Sequence, residues 1–151
     1  MAKIASASVS EAGRIAQFMG LRHWEGIDDL ALVEQVRKGF PVGTAAFVVE
    51  RFDPQGRYVR VTDIIPKSTL HRRGKGRTLT KDESEKVLAL SKVFSEVLRL
   101  YHEDGDQAAQ FMARKHPMLA GRSPIELAVE SIAGADLVMK LLAQADAGIA
   151  A

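Results

Sequence analysis

A capping box followed by a long amphipathic stretch constrains the fold of this chain more than any other feature. Thr80 and Glu83 have the spacing at which each side chain can accept a hydrogen bond from the other residue's backbone amide. Apolar residues then recur at helical spacing along one side of the segment. They are Val87, Leu90, Phe94, Val97, Leu98 and Tyr101. The pattern predicts a helix from Lys81 to about Tyr101 whose apolar side faces a core.

Three shorter helices are expected after the long one. The second of them has the strongest start signal, because Ser123 and Glu126 form another capping box and Pro124 suits the first helical position. Gly148 is expected to end the last helix and to leave a short apolar tail at 149–151. The predicted helices begin at Asp106 and end before Pro117, run from 124 to about 131, and run from 135 to about 145.

The amino-terminal half also predicts helices, all of them short. Ser10 can cap the first, and Asp28 or Asp29 can open the second. Trp24 lies between these two helices and is expected to fill a small core, with a binding role as the alternative. The apolar side of the second helix is expected to carry Leu30, Val33 and Val36. The expected helices span 11–19, 28 or 29 to about 38, 44–52 and 59–65.

One of these segments, 44–52, is ambiguous because Phe47, Val48 and Val49 are also typical of a strand. A helix is preferred there because the elements on both sides are helical. With that choice the chain is predicted to be all-α, with two helical lobes joined near residues 74–80.

Composition narrows the class of function. The chain has 151 residues, is 46% hydrophobic and has no cysteine, so it can bury a core but cannot form disulfides or thiolate metal sites. Its histidines lack metal-ligand spacing, and no nucleophile motif is present. We therefore expect no enzyme activity, no cofactor and no metal. No apolar stretch suits a signal peptide or a membrane span, which predicts a cytoplasmic protein without membrane contact.

The net charge is only +2, but the positive charges are concentrated in one segment. No acidic residue stands between Asp63 and Asp82, where a short helix is expected to follow Pro66 and to stop at Gly74 and Gly76. Small polar residues followed by cations on a short helix resemble the second half of a helix-turn-helix, and a solvated basic linker is the alternative. The candidate DNA-binding residues are Lys67, Ser68, Thr69, His71, Arg72, Arg73, Lys75 and Arg77.

Several motifs in this order resemble the Xre/MbcA/ParS-type antitoxins, over roughly residues 60–151. The segments that resemble the family are 68–73, 76–80, Glu83-Ser84, 108–112, 119–127 and the leucine-rich segment 137–142 with Gly148. Two positions depart from the family pattern. Phe111 stands where a Trp is usual, and Ala120 replaces the first of two glycines, which could stiffen the loop.

The resemblance implies the antitoxin of a type II toxin–antitoxin pair whose partner is a RES-domain toxin that destroys NAD. It implies that residues 1–78 form an Xre-like helix-turn-helix lobe that binds the operon's own promoter. Residues 79–151 would form the toxin-binding lobe, whose end obstructs the toxin's active site. It also implies a homodimer.

Six residues of the carboxy-terminal half are candidates for contact with the toxin. They are Arg122, Ser123, Leu141, Gln144, Gly148 and Ile149. Arg122 could instead cover apolar surface with its stem, and Ile149 could belong to a frayed end. Two other functions stay open. One is an orphan helix-turn-helix regulator whose second lobe serves only dimerisation, and the other is an antitoxin whose first lobe no longer binds DNA.

Overall fold

The computed structural model describes residues 9–73 and 77–150, without the side chains of Arg72, Arg73, Ile149 and Ala150. These residues form helices and contain no strand, and their two antiparallel bridges are isolated. The helices are α1 (Glu11–Phe18), α2 (Asp29–Lys38), α3 (Gly43–Phe52), α4 (Lys67–Arg73), α5 (Lys81–Leu100), α6 (Gly105–Ala113), α7 (Pro124–Glu130) and α8 (Ile132–Ala150). The all-α prediction is confirmed. The terminal segments 1–8 and Ala151, and the expected helix stop at Gly74 and Gly76, lie outside the described residues.

Local capping explains where the first helices begin. The Ser10 hydroxyl accepts a hydrogen bond from the Gly13 amide at 2.9 Å, and the Asp28 carboxylate accepts one from the Ala31 amide at 2.8 Å. The ambiguous segment 44–52 is helical, as preferred, and lies within α3. Its buried residues recur at helical spacing, as Ala45, Val48, Val49 and Phe52.

The prediction of a short helix at 59–65 is wrong. The chain there forms a loop with a single 3-10 turn, Val61–Asp63. The buried Asp53 carboxylate accepts hydrogen bonds from the backbone amides of Arg57, Tyr58 and Val59. Arg60 has an extended backbone and its amide donates to the Asp63 carboxylate at 2.9 Å, so the helical conformation is confined to the turn 61–63.

The apolar side assigned to α2 was also partly wrong. Leu30 and Val33 are 68% and 59% exposed, whereas Leu32 and Val36 are buried. Leu30 precedes Leu32 by two residues, which places the two side chains on nearly opposite sides of a helix. Trp24 is only partly buried, at the edge of a small cluster that includes Leu32, and does not fill a core.

Helix α5 is the centre of the fold, and its capping box is confirmed. Thr80 accepts a hydrogen bond from the Glu83 amide at 3.1 Å, and Glu83 accepts one from the Thr80 amide at 2.8 Å. Helices α1, α2 and α3 pack on α5 from the first half of the chain, and α6, α7 and α8 pack on it from the second. Phe52 of α3 stacks on Phe94 of α5 with ring centroids 4.1 Å apart.

The predicted lobes share one buried apolar cluster, which includes residues from α1 to α8. The segment before α5 is also tied to the first half of the chain. The Leu79 amide donates to the Phe40 carbonyl at 2.8 Å, and the Val42 amide donates to the Arg77 carbonyl at 3.0 Å. The division of function at residue 78 remains a prediction.

In the second half of the chain, several helix boundaries differ from those expected. Asp104, not Asp106, precedes and caps α6, which ends at Ala113 before reaching Pro117. The α7 capping box, with Pro124 at the first position, is confirmed. Helix α8 starts earlier than expected, at Ile132, where the Ser131 hydroxyl accepts from the Gly134 amide at 2.9 Å.

Helix α8 is also longer than expected. It runs through Ala150, so Gly148 lies inside the helix and does not end it. An Arg99–Asp146 ion pair of 3.1 Å joins the last turns of α8 to the end of α5. The first turn of α8 lines a groove with Glu85 and Leu88 near the start of α5. The two long helices therefore run side by side in the same direction.

Candidate functional site

The basic helix α4 places only part of the candidate DNA-binding set on the surface. Lys67, Ser68 and His71 are exposed on α4, and Arg77 is exposed beyond it. Thr69 is only 8% exposed, because it faces the core side of this short helix. It is therefore removed from the candidate contact set. The side chains of Arg72 and Arg73, and all of Lys75, lie outside the described residues.

The connection that leads into α4 is long for a helix-turn-helix. Residues 53–66 separate α3 from α4, whereas the usual turn has three or four residues. A turn of the usual length, 39–42, joins α2 to α3. However, α3 exposes Phe47 and Glu50, and its Arg51 donates to the Gln17 carbonyl at 3.1 Å. The chemistry suited to phosphate therefore lies on α4, not on α3.

A short hairpin-like loop carries the first candidate of the second half, Arg122. His116 and Arg122 form an antiparallel bridge. The Arg122 guanidinium donates to both carboxylate oxygens of Glu130, at 3.0 and 3.3 Å, and lies 3.8 Å from Glu126. Lys115 lies 3.5 Å from the same Glu126. Arg122 therefore joins the loop to both ends of α7, as part of a network of charges at the surface.

These contacts shift the protonation of the network in a consistent direction. The hydrogen bond and charge of Arg122 lower the pKa of Glu130, and the bond to Glu130 raises the pKa of Arg122. The pKa of Glu126 is lowered as well, chiefly by the hydrogen bond from the Ser123 hydroxyl. Glu126, Glu130 and Arg122 are therefore all ionised at neutral pH, and both signs of charge lie on this surface.

Ser123 itself is not placed for contact with a partner. It is only 2% exposed, and its hydroxyl accepts from the Glu126 amide at 3.3 Å and donates to the Glu126 carboxylate at 3.0 Å. Both functions of the side chain are used by the capping box, so the structure assigns Ser123 to the start of α7.

The end of α8 carries the other candidates. Gln144 and Gly148 are exposed, Leu141 is half-buried against the core, and the side chain of Ile149 lies outside the described residues. The Arg99–Asp146 pair fixes this end of the helix to α5. Hydrogen bonds to Glu96 and then to Asp146 raise the pKa of Arg99, so the cation persists at any physiological pH.

A residue missing from the sequence-based set lies at the tip of the Arg122 loop. Met118 is 70% exposed, the highest value among the exposed large apolar residues of the described chain. Its neighbour Leu119 is buried. The only signal in the sequence is a large apolar residue between Pro117 and Gly121, and that signal does not distinguish an exposed side chain from a buried one.

Comparison with known protein families places this part of the molecule in a class. Residues 97–148, from the last turn of α5 to the last turns of α8, match the family model of the antitoxin Xre/MbcA/ParS C-terminal toxin-binding domain. The match supports an antitoxin with a toxin as its partner. A comparison with curated proteins found no match.

Two further observations concern the described residues only. None of the helices in 9–73 and 77–150 combines the length and the apolar character needed to cross a bilayer. In the same part of the chain, no three His, Cys, Asp or Glu side chains are grouped so that they could hold a metal ion.

Proposed function

We propose that this chain is the antitoxin of a type II toxin–antitoxin pair, which binds and neutralises a RES-domain, NAD-degrading toxin by obstructing its active site. The observation that carries the proposal is the match of residues 97–148 to a toxin-binding domain. That region contains the candidate contacts at Arg122 and along the exposed side of α8. The RES identity of the toxin rests on the family resemblance of the motifs.

The end of α8 is the part of the chain best suited to enter a pocket. Its last exposed residues are small or uncharged, as at Ala147 and Gly148, so little desolvation cost opposes their burial. Packing on α5 and α7 holds α8 on the fold, the surface Arg99–Asp146 pair adds a small contribution, and this order reduces the conformational entropy lost on binding.

A truncation tests this mechanism. Deleting residues 147–151 removes the helix end but keeps Asp146 and its pair with Arg99. We expect the truncated chain to fold and yet to rescue growth poorly when the product of the neighbouring gene, the proposed RES-domain toxin, is expressed. The matched control is Asp146→Ala, which breaks the ion pair but keeps the helix end. Full rescue by the truncated chain would remove the end of α8 from the mechanism.

We also propose that the chain represses its own operon by binding promoter DNA through α4, as a homodimer. Exposed Lys67, Ser68 and His71 support this, because cations and small donors on one surface suit phosphate contacts. In a symmetric dimer the two α4 helices would read half-sites about one helical turn apart.

A gel-shift titration against the chain's own promoter tests DNA binding. Lys67→Ala and Arg72→Ala should weaken binding, and every phosphate that a variant no longer neutralises should reduce the slope of log K against log salt by about 0.9. Lys140→Ala, an exposed cation on α8, is the control and should bind like wild type. If both α4 variants retain wild-type affinity and slope, α4 is not the DNA-binding surface. If the chain binds its promoter and no toxin is encoded beside its gene, the orphan regulator is favoured.

A further inference from the structure

Met118 is unusual among the apolar residues of the matched region. Within 97–148 the exposed large apolar side chains are those of Met118, Ile132 and Leu137, and Met118 is the most exposed of the three. Ile132 and Leu137 lie along α8, whereas Met118 lies at the tip of a loop. A large apolar side chain gains free energy when a partner removes it from water, so Met118, which lies in a region that matches a toxin-binding domain, would gain free energy on contact with a toxin.

The loop that carries Met118 is held by many backbone hydrogen bonds. The His116 amide donates to the Arg122 carbonyl at 3.1 Å, and the Gly121 and Leu119 amides donate to the His116 carbonyl at 3.0 and 2.9 Å. The Arg122 amide also donates to the Leu119 carbonyl at 3.1 Å. A tip of this kind is preorganised, so binding through it costs little backbone entropy.

Side-chain contacts with the core also hold this loop in place. Leu119 is buried in the main cluster, and the ring of His116 lies 5.1 Å from that of Phe111, which in turn lies 5.9 Å from Tyr101. Arg122 is bonded to Glu130, the last residue of α7. The base of the loop is therefore fixed to α5, α6 and α7, while Met118 remains in solvent.

Ala120 ends the 3-10 turn of this loop, Pro117–Leu119, in a left-handed conformation. Its φ of 56° lies in the left-handed region, which costs a non-glycine residue free energy. The surrounding hydrogen bonds maintain this conformation and keep Met118 outward.

We infer that Met118 is an apolar anchor of the toxin interface, seated in an apolar socket of the toxin whose edge carries carboxylates. The inference rests on the proposed function and adds a contact that is separate from the end of α8. The acidic edge follows from the exposed cation Arg114, because Lys115 and Arg122 are already paired with Glu126 and Glu130. Methionine suits such a socket, since its unbranched side chain adapts to irregular apolar surfaces.

The test compares two equally exposed apolar residues. Met118→Asp and Leu30→Asp place the same charge at positions that are 70% and 68% exposed, and both should keep the wild-type melting temperature. The affinity of each purified variant for the proposed toxin, the product of the neighbouring gene, is measured by calorimetry. We expect Met118→Asp to bind at least about tenfold more weakly than wild type, as loss of an interface anchor does. Leu30→Asp and Met118→Leu should bind like wild type.

Each outcome decides the matter. Wild-type affinity for Met118→Asp would overturn the anchor and leave the proposed function standing. An equal loss for Leu30→Asp would also overturn it, because the effect would not be local to the loop. If the wild-type chain does not bind the neighbouring protein at all, the proposed function fails and the anchor fails with it. A photo-crosslinker at position 118 that captures the toxin would support the anchor independently of folding.

Discussion

The contact between α7 and α8 depends on one glycine, and replacing it should destabilise the fold. Gly134 is buried in the first turn of α8, where it faces the backbone of Leu127 in α7. A Cβ atom at this position would lie 2.8 Å from the Leu127 carbonyl carbon and closer still to its oxygen. Backbone atoms cannot rotate away, so Gly134→Ala must push the two helices apart.

The magnitude follows from two opposing effects. Overpacking a close helix contact costs up to about 3 kcal/mol. Replacing glycine by alanine in a helix returns about 1 kcal/mol, which leaves a net loss of about 2 kcal/mol. For a chain of this size that loss lowers the melting temperature by about 4–8 °C.

Gly148→Ala is the matched control in the same helix. Nothing lies within 4 Å of a Cβ atom at that position, so this variant should be as stable as wild type or more stable by up to about 1 kcal/mol. Urea and thermal unfolding followed by circular dichroism measure both variants. If Gly134→Ala melts at or above the wild-type temperature, α7 and α8 do not pack at this close distance.

Three further predictions concern the Arg122 loop and the start of α7. Ser123→Ala should lower the free energy of unfolding by about 1–2 kcal/mol in urea titrations and raise the pKa of Glu126 toward its ordinary value. An unchanged urea midpoint of unfolding would contradict the capping role. Arg122→Ala should raise the pKa of Glu130, its bidentate partner, more than that of Glu126 in a carboxyl NMR titration. Because the Glu130 pKa is lowered in the fold, the stability that Glu130 contributes is present above the ordinary glutamate range and is lost as pH falls through the lowered value. Ala120→Gly should raise the free energy of unfolding by roughly 0.5–1 kcal/mol, since relief of the left-handed strain exceeds the extra chain entropy, and a lower melting temperature would refute that strain.

The helices that begin with a local cap were predictable from the sequence. Thr80 with Glu83, and Ser123 with Glu126, specify helix starts because the donors and acceptors are only three residues apart. No information about distant parts of the chain is needed for such signals. The long α5 was predictable for a related reason, since its apolar face extends over several turns.

The errors arose where distant residues decide the local structure. Asp53 binds the amides of residues 57–59 and so organises the loop that leads into the segment where a helix was expected. Packing decides which side of α2 is buried, and spacing alone placed Leu30 on the wrong side. Gly148 continues a helix because glycine permits an end but does not require one.

The candidate site was predictable as a region but not as a set of side chains. The motif that contains Arg122 and Ser123 marks the surface loop, yet Arg122 is bonded to Glu130 at the surface and Ser123 is buried as the cap of α7. Met118 and Thr69 show the same limit, because exposure is decided by how a short element sits on the core. The exposed fraction of Met118 or of Thr69 does not follow from the residue type.

The most direct measurement of the central claim is NAD consumption in a reconstituted pair. The product of the gene beside this chain's own, the proposed RES-domain toxin, is purified with and without the chain, and the rate of NAD loss is followed as the chain is added. The proposed function predicts that NAD loss stops once a stable complex has formed. Unchanged NAD loss in the presence of excess folded chain would contradict it.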